Sequence, residues 1–286
     1  GLGDVYKRQM NNITNAQNPF YGQYHTPHEA VPFDRIETEH YEPAILEGIK
    51  LQNAEIEAII QNPEKADFTN TIEAFEESGK LLDKVVAVFG NMLSAETNDD
   101  LQELAQKIMP LLSEHSNNIT LNEKLFARVK EVYNQKETLQ LTQEQKQLLE
   151  NAYNSFIRHG ANLEGEAREE YRRLTTELSK LTLTFSENNL KETNAYQMLL
   201  TKKESLAGLP EIIIEAAAET AKNEEKEGWA FTLHAPSYIP FMTYSDNRDL
   251  RQKLYMAYNT KCTHDNEFNN ICLLYTSPSP RDRTRS

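Results

Sequence analysis

Apolar residues recur at spacings of three and four along most of the chain from Ile45 to Tyr258, the period of helices that each bury one face. A first helix starts near Tyr41 to Pro43, where proline is tolerated in the opening turn. It carries Ile45, Leu46, Ile49, Ile56, Ile59 and Ile60 until Asn62-Pro63 stops it. A second starts at Asn70, with Glu73 in capping-box position, and presents Ile72, Phe75, Leu82, Val85, Phe89 and Leu93. Its stripe is wide, which places it centrally. Thr97 caps a third helix through Leu101, Leu104, Ala105, Ile108 and Leu112, in which Pro110 should kink or break the rod. Leu125, Phe126, Val129 and Val132 mark a fourth, and the Thr142/Gln145 box opens a fifth bearing Leu148, Leu149, Ala152 and Phe156. The longest pattern runs from Glu164 to about Lys191 through Tyr171, Leu174, Leu178, Leu181 and Phe185, as the spine of an antiparallel bundle would.

After Asn194 the texture changes. Ala195 to Leu200 is a short strand-like run, and Gly228 to Leu233 alternates large and small residues as a strand able to pair with it. Between them Leu206-Ala-Gly-Leu-Pro210 is a turn whose proline opens a helix at Glu211. Past His234 more helix follows, with Asp246 or Asn247 capping a last one that bears Leu250, Leu254, Tyr255 and Tyr258. At the other end, Asn18 to Phe33 combines three prolines with aromatic anchors, an extended arm that orders only where those aromatics dock. The fold class is thus mostly α: an antiparallel helical lobe with a small β element near residues 195–234. The expected organisation is an arm over 10–40, a helical bundle over 41–194 and a mixed α/β segment over 195–271. Residues 1–9 and 272–286 depart from the rest. The second switches abruptly to Pro, Ser and Arg, and both resemble translated sequencing-adapter read-through, so they are set apart from the fold.

Composition sharpens this picture. Only 10 Gly and 11 Pro among 286 residues favour helices over turn-rich β architecture. A formal net charge of −14 argues against nucleic-acid binding, which needs a basic surface to displace counterions. No run of about 18 apolar residues suggests a membrane span, and no signal peptide is legible. Only Cys262 and Cys272 are present, without a Cys-x-x-Cys knuckle, so a reducing, cytoplasmic setting fits.

Candidate chemistry is sparse. A hydrolytic zinc helix needs two histidines at i and i+4, and none of His25, His28, His40, His115, His159, His234 and His264 are so spaced. His28-Glu29 begins the pattern, but position 32 is proline. His25 and His28 read as surface residues of the arm, while His115 and His159 sit near helix C-termini, where a partly charged imidazole complements the dipole. The neighbouring acids Glu76-Glu77, Glu169-Glu170 and Glu224-Glu225 point in different directions and read as solvated faces. Trp229, Tyr238 and Tyr244 read as packing of a small sheet on helices. No catalytic, cofactor-binding or metal-ligating residue is assigned.

An ordered series of short motifs remains. Asn18-Pro-Phe, the arm ending in Val31-Pro-Phe-Asp-Arg-Ile and His40-Tyr-Glu-Pro-Ala come first. Asp67-Phe-Thr-Asn-Thr-Ile-Glu-Ala-Phe-Glu76, Leu121 to Val129, Leu206 to Pro210 and Asn247-Arg-Asp-Leu-Arg251 follow. Over residues 18–271 this series resembles the start of bacterial peptidyl-dipeptidases of the thimet-oligopeptidase family of zinc metallopeptidases. The resemblance implies a two-lobed enzyme around a deep channel, in which this chain is an N-terminal wall admitting only short peptides. It also implies one zinc held by a His-Glu-x-x-His helix that this chain lacks, so the chain by itself should be inactive. The function so implied is hydrolysis of oligopeptides, with release of C-terminal dipeptides or internal cleavage. A rival from another class is a helical interaction module with no catalysis.

Overall fold

The computed structural model describes residues 18–271 and Leu273; the adapter-like segments 1–9 and 274–286, Cys272 and the start of the arm lie outside the described residues. The described chain is mostly helical, with one two-stranded antiparallel sheet. Its contacts divide it at Lys180–Leu181, inside the longest helix, whereas the composition changes only after Asn194.

The first unit begins with three short 3-10 turns, Pro19–Tyr21, Pro27–Glu29 and Phe33–Arg35. Asn18 caps the first turn: its Oδ1 accepts from Phe20 N at 3.0 Å, and its Nδ2 donates to His40 O at 2.8 Å. Phe20 is the anchor, 1% exposed and packed on Tyr41, which in turn packs on Phe89. Phe33 does not anchor; it is half exposed. Helix α1 (Thr38–Gln61) follows, with Pro43 in its second turn.

Two expected starts are corrected. The helix anticipated from Asn70 is capped by Asp67, whose Oδ1 accepts from Asn70 N at 2.7 Å, while Asn70 Oδ1 accepts from Asp67 N at 3.0 Å. One π-helical turn, Phe68–Glu73, continues through Ala74–Glu76 and stops at Gly79, which lies at φ +80°. There the Gly79 N–H donates to Glu55 at 2.8 Å, and any Cβ would strike the Gln52 amide, so the rod is cut and α2 runs separately over Lys80–Ala95. Helix α3 (Asp99–Thr120) is capped by Asn98 rather than Thr97, because Asn98 Oδ1 accepts from Leu101 N at 2.8 Å. Pro110 does not end α3: Leu101, Ala105 and Ile108 on one side and Ile119 on the other are buried, and that packing carries the helix through the missing bond.

Helices α4 (Glu123–Asn134) and α5 (Gln143–Arg158) close a core with the π-helical turn and the end of α1: Ile56, Ile72, Leu125, Val129, Leu149 and Phe156 are each at most 5% exposed. The Thr142/Gln145 box forms as expected. Helix α6 (Gly165–Ala195) is joined to α3 within this unit by Asn117 Nδ2 donating to Thr175 Oγ1 at 2.8 Å.

In the second unit β1 (Gln197–Leu200) pairs antiparallel with β2 (Trp229–Thr232), Met198 opposite Phe231. Pro210 precedes α7 (Glu211–Asn223), and α8 (Ala235–Tyr244) and α9 (Arg248–Asn259) complete the unit, the last capped by Asn247. Phe231 and Phe241 are fully buried edge to face at 4.6 Å. On the same stretch Ile239 and Tyr244 stay 58% and 52% exposed, so the run of aromatics is divided between core and surface. Among the described residues no helix is long and apolar enough to cross a membrane.

Candidate functional site

Helix α1 carries Glu39, Pro43, Leu46 and Lys50 at spacings of three and four, so they lie in one row along its surface. Opposite them α3 opens with Asp100, Glu103, Leu104 and Lys107, and Tyr21 of the arm closes one side. Together they line a cleft of about 870 Å³. Its floor is apolar: Pro43, Leu46, Leu104 and the Tyr21 ring. The charge of its walls is lopsided, with Glu39, Glu42, Glu47, Asp100 and Glu103 against two lysines. Both lysines are already held, Lys107 on Glu42 at 2.5 Å and Lys50 on Glu47 at 3.0 Å. Burial, followed by the Glu47 carboxylate, pushes the Tyr21 phenol pKa up, so the ring presents a neutral hydroxyl.

A second cleft of about 540 Å³ shares Tyr21 and Glu47 with the first and continues along α1 to Leu51 and across to Lys80, Leu81 and Lys84 of α2. Lys84 donates to Gly22 O at 2.7 Å and Phe20 O at 3.2 Å and sits 3.9 Å over the Tyr24 ring, an ammonium held by carbonyls and a π face. The arm is thereby tied to α2, and it forms a wall of both clefts.

The residues weighed in the sequence fall elsewhere. His25 and His28 lie in the arm at positive φ. His115 is not a charged C-terminal residue: it is buried, with Nε2 2.7 Å from Gln52 Oε1, and burial lowers its pKa, so the ring is neutral. His159 does take the C-cap of α5, its Nδ1 2.7 Å from Ser155 O. Glu170 pairs with Arg173, and Glu224 with Lys226, as exposed pairs. Trp229 lies on the sheet, while Tyr238 stacks on Tyr258 at 4.2 Å. Among the described residues no three His, Cys, Asp or Glu side chains gather as a metal ion requires. The cleft escaped the sequence reading because its two rows lie fifty or more residues apart.

No protein-family model matches the chain. Dipeptidyl carboxypeptidase of Escherichia coli is 37% identical over 243 residues, which is 85% of this chain and 36% of that protein. Oligopeptidase A of Salmonella typhimurium is 30% identical over 246 residues, 86% of this chain and 36% of its own. These relatives are members of the thimet-oligopeptidase family. A further member, oligopeptidase A of Haemophilus influenzae, is 32% identical over 232 residues, covering 81% of this chain and 34% of the relative. The chain thus spans little more than a third of the length of these curated relatives. The described residues do not fit a zinc ion: they offer no grouped ligands to hold one.

Proposed function

We propose that this chain is the helical N-terminal part of a cytoplasmic zinc peptidase that hydrolyses oligopeptides and releases dipeptides from their C-termini. The observation that carries the reading is the 37% identity to dipeptidyl carboxypeptidase, sustained over 85% of the chain rather than confined to one motif. In this reading the zinc is held by residues other than the described ones, and the task of the helices is exclusion: a rigid wall that lets extended short peptides approach and keeps folded proteins out. Two features support that task. The core is built from interlocked aromatic and branched side chains of α1, α4 and α5, and the arm is pinned to the helices through Phe20 and Lys84. The partners are short peptides, with neither nucleic acid nor membrane among them.

The test is an assay of the 286-residue chain on short peptides, with and without a chelator, beside a chimera joining residues 18–271 to the complementary part of the Escherichia coli relative. The chain alone is expected to show no chelator-sensitive turnover, and the chimera to release C-terminal dipeptides. Chelator-sensitive hydrolysis by the chain alone overturns the division of labour; internal cleavage by the chimera overturns the dipeptide assignment.

A further inference from the structure

Between Phe20 and Pro32, both buried, the arm is held in a conformation that its own residues disfavour. His25, His28 and Glu29 take left-handed backbone angles, at φ 54°, 58° and 53°. There the Cβ crowds the following carbonyl oxygen, and glycine is the residue that fits. Such strain persists where the surrounding packing over-determines it. Around these residues packing is thin: Gln23, His25 and residues 27–30 are exposed. The Tyr24 hydroxyl adds a second cost, since it is buried with no hydrogen-bond partner.

A few polar contacts hold the segment closed. Lys84 of α2 donates to Gly22 O at 2.7 Å and to Phe20 O at 3.2 Å, and its ammonium lies 3.9 Å over the Tyr24 ring. Arg35 donates to Tyr24 O at 3.1 Å, and within the segment Thr26 Oγ1 donates to Ala30 O at 2.5 Å. The two ends suit a pivot: Gly22 has open space about it, and Pro32 is fixed by its ring and its burial. Tyr21 and Gly22 also stand between two clefts. They line both the one of about 540 Å³ edged by Lys84 and another of about 450 Å³ that the arm encloses with Asn18, Tyr24 and Arg35. A segment that lifts from Gly22 joins these two spaces.

We propose that residues 23–31 are a strap that opens as a unit between Gly22 and Pro32 and gates the clefts meeting at Tyr21, with Lys84 as its latch. Backbone strain and the orphan Tyr24 hydroxyl favour the open form; the latch and Arg35 favour the closed one. Phe20 stays seated in both forms, so the helices keep their packing while the strap moves. The device rests on the geometry of the arm and is independent of the peptidase reading.

The experiment is limited proteolysis of the whole chain by chymotrypsin, following cleavage after residue 24. Each rate is divided by that of a synthetic peptide of residues 18–35 carrying the same substitution, so that the ratio reports the open population. Lys84→Met, which keeps the aliphatic stem, should raise the ratio about tenfold or more, because charge-assisted bonds and the contact with the ring are lost. Tyr24→Phe keeps the ring and removes the orphan hydroxyl, and should lower it about fivefold. His25→Gly/His28→Gly relieves strain and should also lower it about fivefold, whereas Gln23→Gly, at an ordinary φ, should leave it unchanged or raise it. Dilute urea should hardly change the natural chain's ratio, since opening the strap exposes little surface. The proposal is overturned if Lys84→Met leaves the ratio unchanged, if Tyr24→Phe raises it, or if the double glycine variant is cleaved as fast as Gln23→Gly. It is also overturned if cleavage climbs with urea as steeply as global unfolding does.

Discussion

Helices α1 and α2 touch at Gly48 and Leu82: a methyl group built on Gly48 would come within 2.9 Å of the Leu82 Cα and 3.0 Å of its nitrogen. Those atoms are backbone and cannot rotate away. Farther along the same pair, Tyr41 of α1 packs on Phe89 of α2 at 5.1 Å. The close contact sets the separation at which the aromatic contact forms.

Gly48→Ala is therefore expected to destabilise the chain by about 1–3 kcal/mol, despite alanine's better helix propensity, because the helices must move apart. Urea unfolding checks this. Gly90, which has open space about it, is the control: Gly90→Ala should be neutral or stabilising by about 0.5–1 kcal/mol.

The buried pair of His115 and Gln52 makes stability depend on pH. Gln52 Oε1 only accepts, so Nε2 of His115 carries the proton, and burial favours the neutral ring, placing the folded pKa below the ordinary 6.5. Between the folded and unfolded pKa values the unfolded state binds more protons, so stability rises with pH there. The contribution is complete above about pH 6.5 and is lost as pH falls toward the folded pKa. Thermal midpoints measured from pH 7.5 to 5 should fall for the natural chain. They should fall less for His115→Gln, which keeps a neutral donor; parallel curves for the two would refute this account.

The cap of α3 offers a comparison between adjacent residues. Asn98 Oδ1 receives the Leu101 N–H, while the Thr97 hydroxyl is buried with no partner. Asn98→Ala should cost about 0.5–2 kcal/mol, whereas Thr97→Val, which removes an unpaired hydroxyl at constant shape, should be neutral or stabilising. Equilibrium denaturation of both variants decides it, and a larger loss for Thr97→Val would show that the cap is misassigned.

Much of the architecture was present in local order. The apolar period marked α1, α4, α5 and α6, the Thr142/Gln145 box marked a helix start, and the alternation around Phe231 marked a strand that pairs with 197–200. These signals act within one or two turns and need no partner, which is why the sequence by itself determined the helical class and the paired strands. Ordered motifs from Asn18 to Arg251 likewise marked the family, because relatedness is written along the chain. Tertiary structure decided what depends on distant neighbours: Gly79 breaks a continuous apolar stripe because Gln52 and Glu55 lie against it, and Pro110 fails to break α3 because both sides of it are packed. His115 loses its charge through a burial that its position near a helix end could not reveal. The clefts beside Tyr21 belong to the same class, since their lining residues come from the arm, α1, α2 and α3 and meet only when those elements pack. Periodicity states which face a helix buries, but only packing brings particular side chains of separate helices to the walls of one cleft.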